Sequence, residues 1–298
     1  MRAIRLALPI LVAAASAQAQ PAPPPPEPPA SHVQVRATAA PSPITLDGVP
    51  SESAWNAAEV CSTFVDGDPV EGAPPSQRTE VRVLYDHDAI YFGVRCFDSE
   101  PGSIVSDLSR RDSGMRSDKF FVYLDPSLDR RSGYYFAVNV AGTLFDGTLY
   151  NDGWSDDSWD GVWDARTHRD AGGWSAEMRI PYSQLRFARR ADQHWGINFL
   201  RQIARGFENI YLVPKHQASN GFVSRFATLE GVENVAPTNA IEFVPFATSK
   251  AEFSPRVARD PFHDGSRYRG NLGGDLRMPV GGKLTLNNIA ANNVNRIS

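Results

Sequence analysis

The residues best suited to chemistry lie together between Asn151 and Asp164, in the run NDGWSDDSWDGVWD. There Trp154, Trp159 and Trp163 are interleaved with Asp152, Asp156, Asp157, Asp160 and Asp164. Three of the chain's six tryptophans fall in this stretch, which otherwise has the composition of a loop. Indole rings stack on the apolar faces of sugars while carboxylates accept hydrogen bonds from hydroxyls, so the mixture suits a carbohydrate. Trp154, Trp159 and Asp157 are the candidate binding residues. Alternatively, the tryptophans pack over the end of a sheet and the aspartates cap turns. The clustered oxygens also suit calcium, with Asp152, Asp156 and Asp160 as candidate ligands, although the run lacks the alternating D-x-D-x-D-G spacing with a distal Glu.

Catalytic patterns are absent. A glycosidase needs two carboxylates about 5 to 10 Å apart across a cleft, and nothing marks Asp157 and Asp160 as such a pair. Glu177 alternates with Ser175 and Arg179 against Trp174, Ala176, Met178 and Ile180, which is the pattern of an outward strand residue. The six histidines have neither H-x-x-H nor H-E-x-x-H spacing for zinc, and Ser113 and Ser183 lie in no nucleophile elbow. The net charge of -4, with mixed signs and no basic aromatic stripe, gives no reason to expect nucleic acid.

Strands must position the Trp and Asp run. Immediately before it, Lys119 to Asp125 (KFFVYLD) and Gly133 to Val140 (GYYFAVNV) read as a hairpin, with Phe120, Val122 and Leu124 on one face and Tyr134, Phe136, Val138 and Val140 on one face of the partner. Further strands are expected at Ile44 to Leu46, Glu80 to Tyr85, Ile90 to Phe97, Thr143 to Leu149, Val162 to Thr167, Gly173 to Ile180, Trp195 to Ile203, Asn209 to Val213 and Gly221 to Leu229. Only brief helical pieces intervene, one at Ser51 to Ala58 burying Trp55 and one at Tyr182 to Leu185. Many short strands without long helices predict an all-β fold, an antiparallel β-sandwich over residues 33–235.

The ends differ in composition. Arg2 and Arg5 precede the apolar run Leu6 to Ala15, and Ala17-Gln18-Ala19 has the small-x-small pattern of a signal peptidase site, so residues 1–19 are expected to be an export signal. Gln20 to Ser31 is proline-rich and, with His32, forms a linker. Export would place the chain in the periplasm or outer membrane, where Cys61 and Cys96 could form a disulfide worth about 4 kcal/mol in chain entropy; a buried free Cys96 thiol is the alternative. After Asn239 to Phe246, another strand, Thr248 to Arg269 is polar and irregular. Then Gly270 to Met278 and Lys283 to Asn287 alternate around Pro279-Val280-Gly281-Gly282. Residues 236–298 thus have the pattern of the start of a membrane β-barrel, which needs about eight strands to close.

The order Ile44-Thr45-Leu46-Asp47-Gly48, Ala54-Trp55, Val81 to Tyr85, Ile90 to Asp98, Asp118 to Asp125, Tyr135-Phe136-Ala137-Val138-Asn139 and Gly173 to Pro181 resembles the family 9 carbohydrate-binding module over roughly Val33 to Gly231. With a leader before it and Gly273-Gly274-Asp275-Leu276 after it, the chain is similar to exported bacterial proteins in which this module precedes an uncharacterised outer-membrane barrel domain. The resemblance implies a β-sandwich, non-catalytic sugar binding and often bound calcium. Where the family's xylanase modules clamp a terminal sugar with a tryptophan, an acid and an arginine, this chain has Met115, Phe121 and Ala137, and a second clamp tryptophan is replaced by Asn220-Gly221-Phe222. The expectation is therefore carbohydrate recognition at the cell envelope with the ligand held away from those positions. A plug or assembly domain without sugar affinity, and a hydrolase of glycosyl bonds, are the alternatives.

Overall fold

The computed structural model describes residues 33–114, 116–215, 221–237, 242–253, 266–280 and 284–294. The expected leader and linker, Met115 and the Gly281-Gly282 turn lie outside these residues. Among the described residues sixteen strands follow one another: β1 (Gln34–Ala39), β2 (Val65–Asp68), β3 (Thr79–Tyr85), β4 (Ala89–Phe97), β5 (Lys119–Asp125), β6 (Gly133–Asn139), β7 (Leu144–Tyr150), β8 (Trp154–Asp156), β9 (Asp164–Asp170), β10 (Gly173–Pro181), β11 (Asp192–Ile203), β12 (Glu208–Tyr211), β13 (Ala227–Glu233), β14 (Glu242–Phe253), β15 (Ser266–Val280) and β16 (Leu284–Val294). The helical pieces among the described residues are short 3-10 turns, including Ser53–Ala57 and Tyr182–Gln184, and no helix is long and apolar enough to cross a membrane.

The first thirteen strands form one curled sheet whose main path runs β8-β7-β6-β5-β11-β13-β1-β3-β4-β10-β9, with β12 and β2 attached beside β11. β1 turns this path back on itself. Its first half, Gln34 to Arg36, pairs with β13, and its second half, Ala37 to Ala39, pairs with β3. Both pairings are parallel, so the sandwich is not wholly antiparallel as the strand spacing predicts. The two halves enclose one core in which the expected inward faces meet: Phe120, Val122 and Leu124 of β5, Phe136 and Val138 of β6, and Trp174, Ala176, Met178 and Ile180 of β10 are all buried.

Four expectations are corrected by this architecture. Ile44 to Leu46 form no strand; Ile44 and Leu46 instead pack beside Trp55 in a small cluster against Leu84 and Tyr91. Glu177 does not face outward to water but is fully buried beneath that same segment. β13 begins only at Ala227, because Val223–Arg225 forms a 3-10 turn. The polar stretch from Thr248 is not irregular at its ends: β14 continues to Phe253 and β15 begins at Ser266.

Cys61 and Cys96 are free thiols, not a disulfide. Cys96 stands opposite Thr79 of β3 and Cys61 bridges to Val81, two positions along. Burial pushes both thiols up to about 11, which favours the protonated thiol over the nucleophilic thiolate. Strands β14, β15 and β16 form a separate three-stranded antiparallel sheet in that order.

Candidate functional site

The outer face of the β5 to β7 region carries a second aromatic layer. Because Phe120, Val122 and Leu124 of β5 point into the core, the intervening Lys119, Phe121 and Tyr123 must point the other way. Cross-strand register then sets one row as Leu200, Phe121, Ala137 and Phe145, and the next as Tyr123, Tyr135 and Gly147. Ala137 is a small residue between two phenylalanines, so the sheet surface is lowest there. At Gly147 a Cβ would lie 2.5 Å from the Tyr135 ring, so glycine is what lets that ring cross the strand. The rings of Phe121 and Tyr123 are stacked, with centroids 5.9 Å apart and planes at 8°. Phe222 stands edge-on to Tyr123 at 5.0 Å and 89°.

These rings floor a cleft of about 420 Å³. Tyr211 and Phe222 close one side, Phe145 and Leu149 the other, and the polar groups at its margin are Asp112, Lys119, Ser155, Asp157 and Lys215. The Tyr135 hydroxyl donates to Asp157 Oδ1 at 2.8 Å, and burial followed by that carboxylate pushes the phenol well above its ordinary range. Lys119 Nζ lies 4.5 Å from the centroid of Phe145, and burial holds its ammonium below the ordinary lysine range. An aromatic platform with a few polar groups at its edge can stack a ring-shaped ligand and fix its orientation through hydroxyl contacts.

The structure separates the residues that the sequence groups together. Asp157 lines the cleft, but Trp154 and Trp159 do not. Trp154 lies in β8, where alternation turns Ser155 to the cleft and Trp154 away; its ring is 65% exposed and meets Tyr150 edge-on at 5.9 Å. Trp159 packs on the flank of the core, 5.3 Å from Tyr134 and 5.9 Å from Phe136. Trp163 is buried and donates through Nε1 to Asp146 at 2.7 Å.

The calcium candidates are likewise dispersed. Asp152 braces the loop that carries Phe222, accepting from the Phe222 N–H at 3.1 Å, the Ser224 N–H at 2.7 Å and the Ser224 hydroxyl at 2.7 Å. Asp156 is exposed and accepts from Ser158 N–H at 2.9 Å. Asp160 joins Asp112 and Asp146, and ligand atoms of these three lie within 4.8 Å of one another. Their counter-cation is already present. Arg111 lies 3.6 Å from Asp112, 3.6 Å from Asp160 and in close contact with Asp146. Calcium takes six to eight oxygens, so three carboxylates centred on a guanidinium fit an ion cluster that ties down the loop from Asp160 to Trp163, and do not fit a calcium cage.

Glu177 illustrates the other kind of buried acid. It accepts from Trp55 Nε1, the Asp47 N–H and the Gly48 N–H, each at 2.9 Å. Gly48 has φ of +93°, and a Cβ there would lie 2.6 Å from Thr167, so the position requires glycine. Burial, partly offset by these donors, holds the carboxyl above the ordinary glutamate range. The carboxylate fastens the segment around Trp55 to the outside of β10 and takes no part in the cleft.

The fold and cleft together define a β-sandwich with an aromatic-lined cleft on an outer sheet face. The sequence profile described as Carbohydrate family 9 binding domain-like matches residues 46–204, and the chain belongs to that family. A proposed carbohydrate-binding protein from Bacteroides uniformis has the same fold, with a TM-score of 0.54 at 14% identity, covering 66% of this chain and 98% of that one. A family 9 carbohydrate-binding module from Caldicellulosiruptor kristjanssonii is similar at 14% identity in its complexes with cellotriose (TM-score 0.48, covering 66% and 93% of the two chains) and with glucose (TM-score 0.49, covering 69% and 97%). The chain has no match among the curated proteins.

Proposed function

We propose that this protein binds a saccharide, without turning it over, in the cleft floored by Phe121, Tyr123 and Tyr135, which reverses the expectation that the ligand is held away from Phe121, Ala137 and Phe222. Family membership supports the ligand class. The observation that carries the location is the continuous aromatic layer on the outer face of β5 to β7, with Asp157 at its edge. Tyr123, Tyr135 and Phe145 are themselves buried in a second apolar cluster with Leu200, Val223 and Phe226, while Phe121, Tyr211 and Phe222 are only partly covered and leave aromatic surface open to the cleft. The tryptophans of the Asn151 to Asp164 run serve instead as a core flank and an exposed edge. We further place the protein at the bacterial cell envelope, on the strength of the Arg2 to Ala19 leader pattern and the alternating strands after Pro237.

Calorimetric titration with a panel of neutral and acidic oligosaccharides tests the assignment. Phe121→Ala removes the centre of the platform and is expected to weaken binding about tenfold or more. Trp154→Ala is expected to change affinity less than about twofold, since its ring lies outside the cleft. If Trp154→Ala abolishes binding while Phe121→Ala leaves it intact, the site lies on β8. If no oligosaccharide binds, a role as a plug or assembly domain takes precedence, and release of reducing sugar would show a hydrolase.

A further inference from the structure

We infer that the saccharide taken by this cleft is anionic, with Lys119 supplying the charge that selects it. This inference rests on the proposed sugar site and specifies its ligand class. Lysine ordinarily lays its stem on the protein and extends its ammonium into water. Lys119 instead sits at the cleft margin with Nζ over the face of Phe145 at 4.5 Å. Among the described residues, no carboxylate oxygen lies within 4.0 Å of Lys119 Nζ or of Nζ in Lys215, the second cleft lysine.

Of the cleft's own acids, Asp112 is balanced by the Arg111 cation, whereas Asp157 is held by a neutral hydroxyl and keeps its charge, so Lys119 and Lys215 stand against the Asp157 carboxylate at the margin. Asp112 accepts the Asp146 N–H at 3.0 Å and faces Arg111 at 3.6 Å, while Asp157 accepts the Tyr135 hydroxyl at 2.8 Å. A half-dried ammonium over a ring, with no carboxylate at contact distance, is poorly compensated before ligand arrives. A neutral sugar offers it hydroxyl oxygens only. A sugar carboxylate or sulfate offers a charge-assisted hydrogen bond, about twice as strong as a neutral one. Phe121, in the next row of the same β5 face, can stack the sugar ring that carries that group.

Trigalacturonate and its fully methyl-esterified form share the sugar backbone and differ in the charge and the ester methyl of each carboxyl, and a 6-O-sulfated glucotriose beside plain glucotriose makes the matching pair for a sulfate ester. In calorimetry with the full chain, the charged member of at least one pair is expected to bind about tenfold more tightly than its neutral partner. The pair that shows the preference identifies carboxylate or sulfate as the source. Lys119→Met keeps the stem and removes the charge, and should bring the two affinities within about twofold. Should that variant not fold, the wild-type preference itself must shrink between about 0.1 M and about 1 M salt as the charge is screened. Equal affinity within both pairs, or a preference untouched by salt and by Lys119→Met, overturns the inference and leaves the sugar cleft standing. No binding by any of the four probes overturns both.

Discussion

At the scale of single residues, the buried acids of this protein serve structure, and the sequence alone misplaces the most important of them. Glu177 has the strand alternation of a solvent-facing residue, yet it is fully buried because the segment around Trp55 folds over that face of β10. Local alternation cannot reveal a cover supplied from more than a hundred positions earlier in the chain. Glu177→Ala would leave one indole N–H and two backbone N–H groups without their acceptor, and is expected to cost about 3 kcal/mol in urea denaturation. A loss below about 1 kcal/mol would mean the segment around Trp55 is held by packing alone. The carboxyl's raised pKa also sets a pH dependence. The folded chain binds this proton more readily than the unfolded one, so the contribution of Glu177 is fullest below the unfolded pKa and is lost as pH rises through the folded value. Glu177→Gln should flatten that part of the stability profile, as thermal melts across acidic pH would show.

At the scale of elements, strands were legible where one face is apolar, and the cleft was hard to read because β5 is apolar on both faces. The run KFFVYLD directs Phe120, Val122 and Leu124 inward and Phe121 and Tyr123 outward. Its missing alternation is the one sequence feature that points to the platform, and it is weaker to the eye than the Trp and Asp run that follows. That run is split by its local structure: β8 turns Ser155 to the cleft and Trp154 to solvent, and Trp159 falls back on Phe136. Trp159→Ala is therefore expected to destabilise the fold by about 2 kcal/mol through lost packing, whereas Trp154→Ala should stay within about 0.5 kcal/mol. Chemical denaturation of the two variants separates them, and the reverse order would place Trp154 in the core. The parallel pairing of β1 was not legible either, because strand composition carries no record of direction and β1 divides its hydrogen bonds between two partners.

At the scale of the whole molecule, the first thirteen strands share one hydrogen-bonded path, while β14, β15 and β16 form their own sheet. We expect residues 33–235 to fold alone with a melting temperature within about 4 °C of the full chain, a shift that corresponds to less than about 2 kcal/mol for a domain of this size. A fragment that does not melt cooperatively would make the later strands part of the sandwich's stability. The composition change near Pro237 was visible in the sequence, as was the hairpin pattern beyond it. The long extent of β14 and β15 was not, since Thr248 to Phe253 is polar and its pairing partner lies across a sequence gap. The central claim is that the outer aromatic layer of β5 to β7 is where a saccharide binds. A crystal structure with an oligosaccharide identified by titration tests it most directly: the sugar ring should lie over Phe121 and Tyr123 between Phe145 and Phe222, within hydrogen-bond distance of Asp157 or Lys119. A sugar seated on Trp154, or anywhere outside that cleft, would contradict the account.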